Sequence, residues 1–394
     1  MHNFILKSIK SLGVVTVLAA FSGCTPSQIH QSINIAQQLP DMNTERAVRL
    51  VASQDPSLKR YLDAEAVLKK DLKKFLDLIS DKWEADPKIA SKKKYVKYSQ
   101  NYISRAEVDF ENHLIYVETL DRKNPKASLK KAITSTLLTP YDPENVDLHS
   151  DKEVKLGGEP FLYEQVVDHE NKALRWEWRT GRYADYLLEN SYRSKKIKTK
   201  KGQQKVYYVT IPMRKNVGSL QAQKLRPYVL EYAKRYDLNP ALVYAVIETE
   251  SSFNPYATSH IPAYGLMQIV PKSAGRDAWK FLNNRDGIPS KSYLYSEKNN
   301  IEMGSAYLHI VNTKYLKNIR NPRSREYCTI AAYNTGSGNV FKTFHRSDRA
   351  KAAQIINGLS PDEVYARLRS SLPYDETRRY VKKVTDAKKK YLNI

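Results

Sequence analysis

Glycine and cysteine are scarce in this chain, at 14 and 2 of 394 residues. So few glycines, beside 27% charged residues, suit helices better than a barrel of tight turns. Cys24 and Cys328 are the whole cysteine complement. With Cys24 used otherwise, no internal disulfide is expected and the fold must rest on core burial. Cys328 lies in an apolar helical stretch and reads as a small buried hydrophobe. There is no Gly-rich phosphate loop, and the eight histidines show no paired ligand spacing, so neither cofactor nor metal is expected. Long apolar runs are lacking too. The longest, Leu12–Phe21, is too short to span a ~30 Å hydrocarbon core as a helix.

Acidic residues are also in deficit. Asp and Glu number 42 against 65 Lys and Arg, a formal net charge of +23. A field of that sign concentrates polyanions, which admits nucleic acid, an anionic wall polymer or an anionic lipid surface. No zinc-finger spacing, RNA-recognition signature or basic region joined to heptads is present, and an export signal at the start of the chain argues against nucleic acid.

Residues 1–23 read as that signal peptide: Lys7 and Lys10 supply the positive start, and the apolar run comes after them. It ends in Phe21-Ser22-Gly23-Cys24, which resembles the processing site of bacterial lipoproteins. That resemblance implies a lipidated Cys24 as the new N-terminus. Because residue 25 is Thr rather than Asp, it also implies sorting to the outer membrane of a Gram-negative cell, lipid-anchored and facing the periplasm. Several acyl chains on one cysteine suffice for stable anchoring. The alternative is an ordinary secreted protein with a free Cys24. Residues 24–57, polar and punctuated by Pro26, Pro40 and Pro56, read as a tether.

Residues 58–213 read as an α+β domain, a small antiparallel sheet with helices. Leu62, Val67, Leu68, Leu72, Phe75, Leu76 and Ile79 recur at threes and fours and place a helix over Leu58–Trp83. Alternation then places strands at Tyr95–Tyr98, Ala106–Phe110, His113–Glu118, Phe161–Val167 and Val206–Ile211, with a helix at Ala127–Leu138. Trp176-Glu177-Trp178 and the basic run Ser194–Lys205 have two readings: a surface for wall polymer, or a core aromatic pair and a solvated hairpin. The sequence favours the second, and no catalytic constellation stands out in this region.

Residues 214–394 carry helical periodicity throughout. Leu225, Tyr228, Val229, Tyr232 and Tyr236 mark one helix that starts near Pro227. Asn239-Pro240 opens the next as cap and first residue. In that helix Val243, Val246 and Ile247 form an apolar stripe. At about 100° per residue, Glu250 falls about 20° from Val243, while Glu248 faces roughly the opposite way, toward solvent. A carboxylate in an apolar stripe is desolvated when charged, and in the last turn the helix dipole opposes its charge as well. Both effects raise its pKa, and a carboxylic acid held protonated can give its proton to a glycosidic oxygen. On this helix alone a buried structural Glu is an equal alternative.

Four blocks succeed one another: Glu250-Ser251-Ser252-Phe253-Asn254-Pro255, with Ser259 behind it; Gly265-Leu266-Met267-Gln268; Ala331-Ala332-Tyr333-Asn334-Thr335-Gly336; and Glu376-Thr377-Arg378-Arg379-Tyr380-Val381. Their order and spacing resemble the lytic transglycosylases of the soluble-lytic type, over roughly Arg226–Tyr391. The resemblance implies an all-α, goose-lysozyme-like catalytic domain with Glu250 as acid and base. It assigns Ser259, Met267 and Gln268 to substrate, with Ser259 and Gln268 on the sugar and its N-acetyl group. It places Tyr333 and Asn334 along the cleft, and Glu376 and Tyr380 in the last contributing block. Its substrate is peptidoglycan glycan strands. With one carboxylate in a catalytic setting rather than two, the implied reaction is substrate-assisted closure of a 1,6-anhydro ring. A hydrolytic muramidase and a non-enzymatic wall-binding lipoprotein are the rival readings. Exo or endo cleavage, stem-peptide preference, oligomeric state and protein partners are left open.

Overall fold

The computed structural model describes residues 72–84, 86–142, 146–199, 202–259 and 263–392. The signal peptide, the tether, Cys24 and the first part of the Leu58–Trp83 helix lie outside the described residues; 72–83 is helical. The chain divides into two units, Met1–Leu78 and Ile79–Ile394. The sheet and all the helices from Pro125 onward belong to the second.

Five antiparallel strands, β1 (Lys94–Ser99), β2 (Ser104–Asp109), β3 (Leu114–Thr119), β4 (Arg193–Thr199) and β5 (Gly202–Pro212), lie in the order β1-β2-β3-β5-β4. Side chains alternate across a strand with period two, and the two faces divide accordingly. Ala106, Val108, Ile115, Val117, Val209 and Ile211 join one buried cluster. Opposite them, Arg105, Glu107 and Glu118 are buried as charges. Arg105 lies over the Trp83 ring at 3.7 Å and pairs with Glu118 at 2.6 Å, so the second face is covered by an ion network rather than left wet. The register Val108↔Ile115 and Val117↔Val209 keeps apolar residues paired across strands; a slip of one would turn every one of them outward.

Two helices pack on the apolar face. α1 (Pro125–Leu137) contributes Leu129, Ala132, Ile133 and Leu137, and α2 (Glu177–Asn190) contributes Tyr183, Ala184, Leu187 and Leu188. Two expectations are corrected here. Phe161–Val167 is not a strand but a run of turns, closed by Tyr163 N–H to Pro160 and Gln165 N–H to Leu162, with Glu164 at φ 64°. Its Phe161, Leu162 and Val166 are buried all the same, since a short apolar run fills a core from turns as readily as from a strand. α2 itself had no clear signal. Trp176 and Trp178, at its start, are 60% and 58% exposed and are not a core pair. The basic run does lie on the exposed paired strands β4 and β5.

The second part is all helix: α3 (Val217–Arg235), α4 (Pro240–Ser251), α5 (Ala274–Asn283), α6 (Lys291–Tyr295), α7 (Glu297–Ile310) with a π turn at Val311–Tyr315, α8 (Pro322–Thr335), α9 (Ser337–Phe344), α10 (Arg349–Gly358), α11 (Pro361–Ser371) and α12 (Asp375–Lys390). α3 begins ten residues before Pro227, because Val217, Ala222 and Leu225 are all buried and packing outweighs the interior proline. Cys328 is fully buried and free.

Tyr256 is one of the side chains on which sheet and helices meet. Tyr256, on the loop after α4, is fully buried in the sheet-side cluster, with Tyr95 at 5.7 Å and Phe161 at 5.4 Å between ring centroids. Its hydroxyl donates to the Pro140 carbonyl at 2.7 Å. Tyr256→Ala removes a buried ring and is expected to cost about 3–5 kcal/mol. Equilibrium denaturant unfolding measures this, and a loss under about 1 kcal/mol would show that the seam is not packed as described.

Candidate active site

α4 starts where Asn239 accepts the Ala241 N–H on its side chain at 2.8 Å, with Pro240 as the first helical residue. It ends at Ser252, φ 50°, and Phe253, φ 66°, just before Pro255. Between these ends, Ala241 through Ile247 are buried without a break. The helix is therefore apolar all round rather than striped, as a helix through the middle of a core must be. Glu248 does not point into open solvent. It accepts hydrogen bonds from Lys390 at 2.5 Å and the Tyr391 hydroxyl at 2.7 Å. Glu250, in the last turn, is 4% exposed.

Burial pushes the Glu250 carboxyl above the ordinary carboxylate range, and the Lys92 ammonium, 3.2 Å from Oε2, draws it partly back. Lys92 comes from the segment leading into β1 and also lies 3.9 Å from Glu376. Glu376 and Tyr380 are one turn apart on α12, hence on one face. The Glu376 side chain is 74% exposed, whereas Tyr380 is 5% exposed. The Tyr380 hydroxyl is buried beside Glu250 and meets no partner in good hydrogen-bond geometry among the described residues. Tyr333, on α8, is close enough for the Glu250 charge to act on its phenol, and burial raises that phenol well above its usual range.

The remaining candidates are held by a scaffold around these groups. The Tyr333 hydroxyl donates to the Met267 carbonyl at 2.8 Å, and Asn334 Oδ1 accepts from Thr377 at 2.7 Å, tying α8 to α12. The Met267 side chain is fully buried against Gly304, where a Cβ would meet its sulfur at 2.3 Å. Gln268, φ 49°, donates through Nε2 to the Gly265 carbonyl at 3.0 Å. Its Oε1 is buried with no partner among the described residues. The Ser259 N–H donates to the Ala263 carbonyl at 3.2 Å.

Two residues escaped the sequence. Lys92 belongs to the run Lys92-Lys93-Lys94, which reads as a solvated basic stretch. Asn300, on α7, is fully buried. Its Oδ1 accepts from Met267 N–H at 2.7 Å, and its Nδ2 donates to the carbonyls of Tyr264 at 2.8 Å and Leu294 at 2.7 Å. Gly265, φ +76°, lies against the same amide; a Cβ there would sit 2.3 Å from Asn300 Nδ2, so the turn requires glycine. Neither a lysine in a basic run nor an isolated polar residue in a helix carries a signal for such a role. Among the described residues no group of three or more His, Cys, Asp or Glu could hold a metal, and no helix is long and apolar enough to cross a membrane.

Residues 61–224 match the family model for the N-terminal domain of membrane-bound lytic murein transglycosylase C, and 227–356 match that of the transglycosylase SLT domain. The chain is 43% identical over 304 residues to the membrane-bound lytic murein transglycosylase C of Klebsiella pneumoniae, across 77% of this chain and 83% of that one. The chain belongs to the membrane-bound lytic murein transglycosylase C family. The relative from Yersinia pestis is likewise 43% identical over the same shares. Among solved structures, the lytic transglycosylase Slt of Pseudomonas aeruginosa matches at 26% identity with a TM-score of 0.34, over 42% of this chain and 23% of that chain. The 70-kDa soluble lytic transglycosylase of Escherichia coli matches at 24% identity and a TM-score of 0.33, over 42% of this chain and 24% of that one. As a lytic murein transglycosylase C family member the chain is an enzyme. The first three blocks fall inside the SLT match, the fourth lies beyond its end at residue 356, and the α+β part preceding the helices agrees with the N-terminal match.

Proposed function

We propose that this enzyme cleaves the β-1,4 bond between N-acetylmuramic acid and N-acetylglucosamine in peptidoglycan strands, leaving 1,6-anhydromuramic ends, with Glu250 as acid and then base. The observation that carries the reading is a carboxyl 4% exposed, raised in pKa by burial and neighboured by side chains from two of the other three blocks, Tyr333 and Tyr380 with Glu376. Protonated, Glu250 gives its proton to the bridging oxygen as the C1–O bond breaks. The 2-acetamido carbonyl of the muramic sugar bears the positive charge that develops at C1. Glu250, now ionised, takes the proton of the C6 hydroxyl, whose oxygen bonds to C1. No water is consumed, and the carboxyl ends as it began.

In this reading Gln268, with its open Oε1, accepts from the acetamido N–H, and Ser259 holds the sugar beside it. Tyr333, Asn334, Glu376 and Tyr380 line the groove, and Met267 holds Tyr333 through its carbonyl. Residues 58–213 and 214–394 act as N-terminal and catalytic domains behind a 24–57 tether, Cys24 carries the lipid, and the enzyme works on the periplasmic side of the outer membrane. The +23 charge suits stem-peptide carboxylates and anionic head groups. Nucleic acid has no part in it.

One observation favours a second reading. Glu250 and Glu376 both lie within 4 Å of the Lys92 ammonium. A hydrolytic muramidase could therefore use Glu376 to activate water. The products decide. Mass analysis of muropeptides released from purified sacculi is expected to give anhydro ends, each lighter by one water than a reducing end; reducing ends would transfer the assignment to the hydrolase.

A further inference from the structure

Three consecutive lysines end on the first residue of β1, and two of them are used inside the sheet domain. Lys93 pairs with Glu111, and Lys94 lies 2.8 Å from Glu107 and 3.1 Å from Asp109. Lys92 instead crosses to the helical domain and meets Glu250 at 3.2 Å. This is more than the reach of a flexible side chain, because the backbone is pinned at the same point. The Asn254 side-chain amide donates to the Lys92 carbonyl at 3.3 Å, and the Thr258 N–H donates to the Ser91 carbonyl at 3.4 Å. Asn254 is fully buried and lies four residues after Glu250, and Tyr256 behind it locks the loop into the sheet-side core. Ammonium and carboxyl are thus clamped by one short loop.

We propose that Lys92 is a positioning residue of the reaction, delivered by the N-terminal domain, whose ammonium anchors the Glu250 carboxyl so that the sheet domain completes the catalytic site. This rests on the assignment of Glu250 as acid and base. The ionisable groups facing Glu250 are Lys92 from the β1 lead, Glu376 and Tyr380 from α12, and Tyr333 from α8. Lys92 is the cation among them. When Glu250 gives up its proton, the carboxylate forms in a buried place at the end of a helix, where both desolvation and the dipole oppose it. The neighbouring ammonium offsets that cost. Burial and Lys92 pull in opposite directions, and their balance lets one group both give and take a proton.

The test is the pH profile of kcat/KM for the full chain acting on purified sacculi, comparing wild type with Lys92→Met, Lys92→Arg and Glu250→Gln. Activity requires protonated Glu250, so it falls as pH rises through that group's pKa. Lys92→Met removes an influence that lowers this pKa. Its alkaline limb is expected at higher pH, with plateau kcat down roughly tenfold as the forming carboxylate loses its partner. Lys92→Arg keeps the charge and is expected to keep the wild-type limb. A Lys92→Met limb that superimposes on wild type overturns the inference, and so does a Lys92→Arg limb displaced as far as that of Met. The side chain is 37% exposed, so its replacement opens no cavity; if Met lowers the thermal midpoint, Lys92→Gln repeats the test. A Glu250→Gln variant that still releases product refutes the Glu250 assignment, and this inference with it. An inert Glu250→Gln beside an unmoved Lys92→Met limb removes the role of Lys92 and leaves the reaction assignment standing.

Discussion

Glu250→Gln is expected to lower the release of soluble muropeptides from sacculi by roughly 10³-fold, within the range that general acid–base catalysis supplies. The amide keeps the shape of the side chain but has no proton to give to a glycosidic oxygen and no basic oxygen to take one back. Both halves of the proposed reaction fail together, so no intermediate should accumulate. Stability should move the other way. A carboxyl whose folded pKa is raised costs the fold stability as pH rises above its unfolded value, because the ionised form must then stay buried. Gln has no such ionisation. At neutral pH the variant is expected to melt no lower than wild type, apart from what the lost Lys92 pair contributes. An activity loss of less than tenfold, or a loss that tracks unfolding, would sink the assignment.

Asn300→Leu is expected to be the most damaging single change outside the groove. The amide is fully buried and serves Met267 N–H and the carbonyls of Tyr264 and Leu294. Leu fills the space but leaves the Met267 N–H and the Leu294 carbonyl without the amide, at about 1–3 kcal/mol each, while the Tyr264 carbonyl keeps the Ile269 N–H; the total is roughly 2–5 kcal/mol after relaxation. The damage falls on the turn that carries Gln268, and on Met267, whose carbonyl receives the Tyr333 hydroxyl. Muropeptide release should therefore drop even at temperatures where the variant is folded. Denaturant midpoints and activity on sacculi, measured on the same preparation, check both parts. A variant within about 1 kcal/mol of wild type and fully active would show that the Gly265–Gln268 turn does not depend on Asn300.

Most of the local structure was legible because it obeys short-range rules. Asn239-Pro240 opens α4, and Ser360 and Glu363 form the reciprocal capping box that starts α11. The alternation in Ala106–Phe110 and Val206–Ile211 became β2 and β5. Where the reading failed, nothing short-range distinguished the alternatives. Phe161, Leu162 and Val166 are buried from turns. The tryptophans of the Trp176-Glu177-Trp178 triplet read as core by composition, yet stand exposed beside Arg175 and Arg179 at the start of α2. The stripe argument that singled out Glu250 needed correcting: α4 is buried on every side, and it is the last turn and its neighbours, not a stripe, that set this carboxyl apart.

By itself the sequence determined the helical character of 214–394, the strand-forming segments before it, and the four blocks whose order resembles the lytic transglycosylases, since each depends on periodicity, capping or residue identity within a few positions. Only the tertiary structure decided what stands next to the carboxyl. Lys92 is 158 residues away in sequence, and pairing across that distance depends on how two cores dock through Tyr256. Local patterns record the faces that a segment must bury, but not the partner segment that buries them.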